Sequence, residues 1–432
     1  MPPDLFAADA QLTPYWWDRT PRPSLPAIDL PRIVDVVVIG SGYTGLSAAL
    51  ATARGGRKTL VLDAEDVGWG CSTRNGGQIS TSIKPGFAEL VRRHGAETAY
   101  RIVKDGQDSL AWIAAFVAEE QIDCDFRVVG RFHAAHGPRH YEALTARLRN
   151  QPKGLEIPAH MVPRNEQQSE LGTETYHGGV VYEQHASVDP ARLHQGMLER
   201  ALSAGVDVAT KCRATQIRPN GRGFHIETAR GAVAARNVIV ATNGYTSDLT
   251  PWMRRRVIPI GSYIIATEPL PEQAMARLMP RNRVISDTRR VVYYYRASPD
   301  RTRILFGGRV SASEMDPRIT GPRLHAEMVR IFPELAGVRI SHSWAGFVAY
   351  TFDELMHLGE HEGVHYAMGY CGSGVGMAGY LGMRVGQQVL GLPGRGTGLG
   401  DTSFQARPFY SRTPWFLAPA VSYYRWRDKV GA

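Results

Sequence analysis

The chain has 432 residues, 43% hydrophobic and 21% charged, and a formal net charge of +9. Its length is about three times that of a typical ~150-residue domain, which predicts two or three domains or one large domain with insertions; the composition excludes a disordered chain. Four cysteines (Cys71, Cys124, Cys212 and Cys371) form no CxxC pair and no cluster, which argues against a disulfide scaffold, a zinc ribbon or an iron–sulfur protein and fits a reducing cytoplasm. Lys and Arg number 50 but are dispersed, with Arg254-Arg255-Arg256 the one tight run, so no nucleic-acid partner is expected. No uncharged apolar run approaches the ~20 residues of a membrane span, so no membrane partner is expected either.

Residues 1–32 form a proline-rich lead with acidic residues and no apolar core stretch, read as an N-terminal extension rather than a signal or transit peptide. Ile33–Ile39 (IVDVVVI) is a β-branched run expected of a strand buried on both faces of a parallel sheet. It runs into Gly40-Ser41-Gly42-Tyr43-Thr44-Gly45, then an Ala/Leu helix to Arg54, then a strand at Thr59–Leu62 closing with Asp63: a βαβ unit. Apolar spacing predicts helix over 87–122, strand over 126–135 and helix over 141–148. A helix over 190–204 is entered through Asp189, a good N-cap. Short strands with Gly turns fill 206–241, and strands recur at 257–267, 284–296 and 303–310. A helix at 323–332 and strands at 338–350 and 364–369 precede a last helix that begins near Ser373 and ends before Gly391-Leu392-Pro393. The tail, 401–432, carries Phe404, Phe409, Tyr410, Trp415, Phe416, Tyr423, Tyr424 and Trp426, and so many aromatics are expected to pack back on the body.

The GxGxxG at 40–45 has the full context of a dinucleotide site. Gly40 permits the tight turn, Gly42 the close approach of backbone to a pyrophosphate, and Gly45 the packing of helix on strand. The helix N-terminus offers N–H groups and a positive dipole end. Asp63 stands where an acid accepts hydrogen bonds from a ribose. A second glycine-rich turn into a helix, Gly369-Tyr370-Cys371-Gly372-Ser373-Gly374-Val375-Gly376-Met377-Ala378-Gly379, suits a longer cofactor than NAD, with its dipole end beside the pyrimidine side of a flavin.

With DVVVIGSGYTGLSAAL (35–50), GWGCSTRNGGQ (68–78), ATNGYT (241–246), the segment from YYR to LFGGR (294–309), GFVAYTFD (346–353) and MGYCGSGVGMAGYLG (368–382) in order, the chain resembles the D-amino-acid-oxidase-like FAD oxidoreductases, the glycine and sarcosine oxidase superfamily, and within it the gamma-glutamylputrescine oxidase branch, which also shows a YW near its start (Tyr15-Trp16). The resemblance implies an α/β fold: a Rossmann-like, glutathione-reductase-type FAD-binding domain (33–86, 178–250 and 338–400) and an α+β substrate domain (87–177 and 251–337) whose antiparallel sheet roofs the flavin. It implies that Gly40, Ser41, Gly42, Tyr43, Thr44 and Gly45 with Asp63 and Ala64 hold the ADP half. Gly70, Ser72, Arg74, Asn75, Gly76, Gly77 and Gln78 would line the pyrophosphate and ring, Ala214 would meet adenine, and Thr242 and Gly244 would close over the ADP. Gly346, Cys371, Gly372, Ser373, Gly374, Val375, Gly376 and Met377 would lie at the ribityl chain and ring. Departures are Asp63 for a usual Glu, Thr73 for a common Gly and Met356 for a common Pro. Gly346 falls where some sarcosine oxidases carry a flavin-linked cysteine, so the FAD is expected to be non-covalent.

The chemistry so implied is removal of hydride from a carbon bearing nitrogen, giving an imine that water hydrolyses, with a small amine (secondary amine, amino acid or gamma-glutamyl-amine) as substrate. Oxidation of a 2-hydroxy acid or alcohol, or a flavin-binding protein without turnover, are the alternatives. Candidates over the ring are Tyr263, Tyr294, Arg296, His342 and Trp344. Tyr294 and Arg296 share one strand face, and Arg296 is either a bidentate partner for a substrate carboxylate or an inter-strand arginine. O2 is the expected electron acceptor, another acceptor remaining open, and Lys84 is the lysine placed to lie near the ring. His133, His136 and His140 are interrupted by Gly137-Pro138, so no metal site is expected. The oligomeric state stays open.

Overall fold

The computed structural model describes residues 5–308, 316–392, 396–411 and 414–430; Arg309 of the LFGGR segment, the end of the expected 303–310 strand and Pro393 lie outside them. Ile33–Ile39 is buried from Val36 onward and pairs in parallel with Thr59–Leu62 on one side and Gly231–Val240 on the other. Asp207–Ala209 extends the sheet beyond Thr59–Leu62. From Gly231–Val240 it continues antiparallel through Gly223–Thr228 and Ala214–Asn220, while Val364–Met368 adds a parallel partner. A continuous β-branched run is what such a doubly covered strand requires, because both faces meet apolar side chains.

Two helices from opposite ends of the sequence, Tyr43–Arg54 and Gly374–Val389, cover this sheet in direct contact. Their approach depends on small residues: a Cβ on Gly382 would overlap the Thr44 carbonyl, and one on Gly386 would fall 2.8 Å from Ala51 Cβ. The Ser47 hydroxyl donates to the Gly379 carbonyl at 2.7 Å. Several glycines of the second glycine-rich motif therefore serve helix packing, which brings the N-termini of both helices to one cavity.

A second, nine-stranded sheet runs in the order Phe6–Gln11, Ile340–Tyr350, Ile258–Thr267, Ile304–Gly308, Tyr293–Ala297, Val284–Asp287, Arg131–Ala134, Gly179–Tyr182 and Ala159–Val162. It is mostly antiparallel, with parallel pairing of Phe6–Gln11 to Ile340–Tyr350 and of Val284–Asp287 to Arg131–Ala134. Gly179–Tyr182 and Ile340–Tyr350 belong to this sheet, although the expected segments 178–250 and 338–400 grouped them with the nucleotide-binding part. The N-terminal extension is part of the fold: Phe6–Gln11 is an edge strand and Trp16, in the short helix Tyr15–Arg19, is fully buried.

Left-handed glycines divide elements that the spacing ran together. The helix expected over 87–122 is two, Phe87–His94 and Ala96–Glu119, parted at Gly95 (φ +80°), and the 126–135 strand breaks at Gly130 (φ +70°). The aromatic tail packs back only in part. Phe404 and Tyr410 are buried, whereas Phe409, Trp415, Tyr423 and Trp426 are exposed. No described helix is long and apolar enough to cross a membrane.

Candidate functional site

The strand Ile33–Ile39 ends at Gly40, whose φ of +104° turns the chain sharply into the helix Tyr43–Arg54. A Cβ on Gly45 would overlap the Gly40 carbonyl oxygen, so the helix can leave the turn this tightly only with glycine there. Asp63, just past the next strand, holds the turn from below. One of its oxygens accepts from the Ser41 N–H (2.8 Å) and hydroxyl (2.6 Å), and the other accepts from the Glu65 N–H (2.9 Å).

The segment 68–78 follows that strand and is fixed by its own polar groups and by three indoles. Asn75 donates to the carbonyls of Cys71 (3.1 Å) and Ser72 (3.0 Å) and accepts from the Gly77 N–H (2.8 Å). Trp16 donates to the Asn75 carbonyl, Trp17 to the Thr73 hydroxyl and Trp344 to the Arg74 carbonyl, each at 2.8 Å. Arg74 itself donates to the Trp69 and Ala345 carbonyls and stacks between Trp17 and Trp69.

Around these segments lies a cavity of about 1150 Å³. It exceeds the ~300–1,000 Å³ of an ordinary small-molecule pocket. Its walls include the Gly40–Thr44 turn, Asp63, Ala64, Gly70, Ser72, Arg74, Asn75, Gly76, Gln78, Ala214, Thr242, Gly346 and the turn Gly372–Val375. The first four N–H groups of a helix have no partner within it. Neither Gly42 nor Ser373 caps its helix with a side chain, so both N-termini open on the cavity with donors for an anionic ligand. Ser373 instead donates to the Ser82 carbonyl at 2.8 Å. The Gly42 cradle is tight, since a Cβ there would sit 2.9 Å from the Ser72 oxygen. A long cavity with two helix N-termini and an acid at Asp63 fits an FAD.

Six residues expected at the cofactor do not line the cavity. Gly45 is packed under the turn, and a Cβ on Gly77 would overlap the Val188 carbonyl. Gly244 backs onto Phe347, Gly376 faces Ile79 and Ser109, and Met377 is buried in the core. Cys371, with φ +50°, turns its thiol to the Gly369 carbonyl (3.2 Å), and burial pushes its pKa up to about 11.

Of the substrate-side candidates, Tyr294 alone lines the cavity, its hydroxyl 2.9 Å from that of Ser262. Tyr263 points the other way, into a core with Tyr295 and Phe306, because its neighbours Ser262 and Ile264 take the cavity face of the strand. Arg296 shares the Tyr294 face as expected, but its guanidinium is buried and donates to the carbonyls of Gly77 (3.0 Å), Val188 (2.9 Å) and Ala297 (3.0 Å). It is a strut under the Gly77 turn and not a substrate ligand. His342 lies 2.8 Å from Asp18, and Trp344 supports Arg74 as above.

Other lining residues were not expected at the cavity: Arg131, Ser286, His133, which was weighed only as a metal ligand, and the helix Leu417–Val430, with Lys84 foreseen. Arg131 and His133 alternate with buried Phe132 and Ala134, and Leu417, Val421 and Tyr424 recur at helical spacing. Those periodicities were readable, but not which cavity the faces met. Burial, with Arg131 next, holds the His133 pKa well below its usual value. Asp287 is pushed up to about 6 by burial, opposed by Arg289. The rings of His136 and His140 lie tilted with centroids 3.8 Å apart, and among the described residues no group of three or more His, Cys, Asp or Glu is arranged to hold a metal ion.

A family model described as DAO, FAD dependent oxidoreductase, matches residues 35–388. The chain is 32% identical to a probable oxidoreductase OrdL of Rhizobium meliloti, over 96% of this chain and 97% of that one. It is 30% identical to gamma-glutamylputrescine oxidoreductase of Escherichia coli, over 92% and 93%. Among solved structures, glycine oxidase from Geobacillus kaustophilus superposes with a TM-score of 0.71 at 19% identity, covering 88% of this chain and 99% of that one. Iminodiacetate oxidase from Chelativorans gives 0.67 at 19% identity, over 88% and 99%.

Proposed function

Since this chain belongs to the DAO family of FAD-dependent oxidoreductases, we propose that it oxidises the C–N bond of an amine or amino acid. The carrying observation is one continuous cavity lined by the Gly40–Thr44 turn and by Ser262, Tyr294, Arg131 and Lys84. The names of its relatives, a gamma-glutamylputrescine oxidoreductase, a glycine oxidase and an iminodiacetate oxidase, support an amine as the reacting group.

When bound, FAD supplies the acceptor for the hydride that leaves the carbon next to nitrogen. The residues expected to hold it are the Gly40–Thr44 turn and Asp63 at one end and Gly372–Val375 at the other. Gly346 has no side chain to offer, and the Cys71 thiol on the same wall is engaged with the Phe347 carbonyl at 2.8 Å, so the FAD is held without a covalent bond. Acid precipitation should release all the flavin into solution. Ile79, Ile83, Ile260 and Ile264 form apolar walls that exclude water, so the amine enters in its neutral form, with the lone pair that drives hydride departure. Tyr294 and Ser262 hold its polar end by hydrogen bonds, and water hydrolyses the imine product. O2 is the electron acceptor, reduced to H2O2, with the Lys84 cation on the cavity wall favouring the negative charge that builds on oxygen. The four cysteines form no disulfide, and a cytoplasmic setting is part of the proposal.

The test is anaerobic mixing of FAD-loaded protein with separate amine and 2-hydroxy-acid panels, following loss of oxidised-flavin absorbance. Bleaching by amines is expected, and re-oxidation on admitting O2 identifies the acceptor. Bleaching by hydroxy acids alone would overturn the reading.

A further inference from the structure

The aromatic tail returns to the body at the one tight basic run of the sequence, Arg254-Arg255-Arg256. Arg256 donates to the carbonyls of Phe404 (2.8 Å) and Trp252 (2.8 Å), and its guanidinium lies 3.7 Å from the centre of the Trp252 ring. The Tyr410 hydroxyl donates to the Val257 carbonyl at 2.7 Å. Arg254 is paired with Asp248, and Arg255 is exposed. From Tyr410 the rings continue to Phe416 (5.8 Å) and from Phe416 to Trp415 (5.7 Å), so cations and aromatic rings share one surface.

The helix Leu417–Val430 uses one of its sides on the cavity, which Leu417, Ala420, Val421 and Tyr424 wall. Pro419, Ser422, Tyr423 and Trp426 recur at helical spacing on the opposite side and are exposed. The rings of Tyr423 and Trp426 lie 6.1 Å apart. Trp415 stands just before the helix and Trp426 near its end, so exposed rings extend over roughly 15 Å. Trp415 is 67% exposed and Trp426 57%. Phe409 is 93% exposed and has a φ of +63°, a backbone region that a bulky residue enters only under strain. Large rings gathered in water within one short segment mark a contact surface, unlike apolar residues exposed singly.

Charge decides what covers that surface. Residues 405–432 contain five Arg and Lys (Arg407, Arg412, Arg425, Arg427 and Lys429) and one acid, Asp428. Asp428 is engaged with the body, where it accepts the N–H groups of Arg290 (2.9 Å) and Val291 (3.0 Å). A second copy docked about a two-fold axis would set these cations against their own images. An anionic lipid surface meets both properties together. Trp, Tyr and Phe rings settle at the headgroup level, and Arg and Lys are drawn to the negative charge.

We propose that the C-terminal segment, with Arg255 beside it, is a docking surface for an anionic lipid bilayer, on which the protein lies peripherally. No described helix is long and apolar enough to cross a membrane, and none is needed, because rings and cations engage only the headgroup layer. The expectation of no membrane partner was drawn from the lack of a span, which does not bear on a surface contact. The proposal is independent of the oxidation chemistry.

The test floats FAD-loaded protein with vesicles of phosphatidylcholine alone or with about one third phosphatidylglycerol. At equal lipid the anionic vesicles should carry at least about tenfold more protein, and raising the salt to about 0.5 M should release most of it. Phe409→Gly accepts the left-handed backbone without strain, so it removes the ring and keeps the fold. Combined with Trp415→Ser, it should weaken binding about tenfold, and Arg255→Gln alone about fivefold, with urea midpoint and flavin content unchanged. Equal binding to both kinds of vesicle, binding to neither, or anionic binding untouched in the double variant would overturn the proposal. A dimer in gel filtration that the double variant abolishes, without vesicle binding, would also overturn it and assign the surface to a second copy.

Discussion

At one end of the cavity, Gly40–Gly45 and Asp63 come from 24 consecutive residues and act mostly through backbone N–H groups and the absence of side chains. At the other end, Lys84, Arg131, Ser286 and Tyr424 come from four distant stretches and line the cavity with polar side chains. The first end is a local conformation that the chain writes into a short motif. The second exists only because the nine-stranded sheet and the C-terminal helix meet there. A substitution at the first end should therefore damage structure and cofactor together, and one at the second should change which molecules react.

The strongest break expected is Gly45→Val. Its side chain has no room against the Gly40 carbonyl, so a loss of at least ~3 kcal/mol is expected. Flavin content per mole of protein, measured with the urea midpoint, should fall with stability; a stable variant with a full complement of FAD would refute the tight-turn account. Next, Arg296→Met removes three hydrogen bonds to carbonyls, of which Gly77 keeps the Val188 N–H, and should cost about 3 kcal/mol in urea unfolding. Its rate of flavin bleaching by amines at full FAD occupancy should nonetheless stay within about twofold of the wild type, and a larger loss would move substrate recognition back to Arg296. Asp63→Asn keeps one acceptor for the Ser41 donors and loses the charge. A drop of about 2 kcal/mol and roughly tenfold weaker FAD binding are expected, read by flavin fluorescence titration.

The smallest effect depends on pH. The folded protein lowers the His133 pKa, so the stability it supports is complete above the unfolded value near 6.5 and is lost as pH falls below it. His133→Asn removes the bond to Ser286, costing about 1 kcal/mol at pH 8, and also removes that acid sensitivity. Its deficit relative to wild type in thermal unfolding should shrink between pH 7 and pH 5. A deficit that widens on acidification would mean that His133 is charged in the fold.

The βαβ start was legible because Ile33–Ile39, Gly40–Gly45 and Asp63 are contiguous and each obeys a local rule: burial on both faces, a positive φ, an acid after a strand. The second glycine motif was legible as a helix entry, but Gly382 and Gly386 turned out to meet Thr44 and Ala51 of another helix, a contact no spacing predicts. The expectation for Arg296 rested on strand alternation, which correctly gave it the Tyr294 face. Alternation says nothing about what lies beyond that face, and there the Gly77 and Val188 carbonyls wait. The three tryptophans that brace residues 73–75 were visible as aromatics, yet two belong to a lead read as an extension and one to a strand read as substrate-facing.

By itself the sequence determined the nucleotide-binding turn, the family and the elements on both sides of it, because these depend on interactions among residues a few positions apart. Only the tertiary structure decided that Arg296 is spent on backbone carbonyls and that the C-terminal helix lines the cavity. Which groups meet a buried guanidinium depends on neighbours more than a hundred residues away, and that distance is resolved only when the chain has folded.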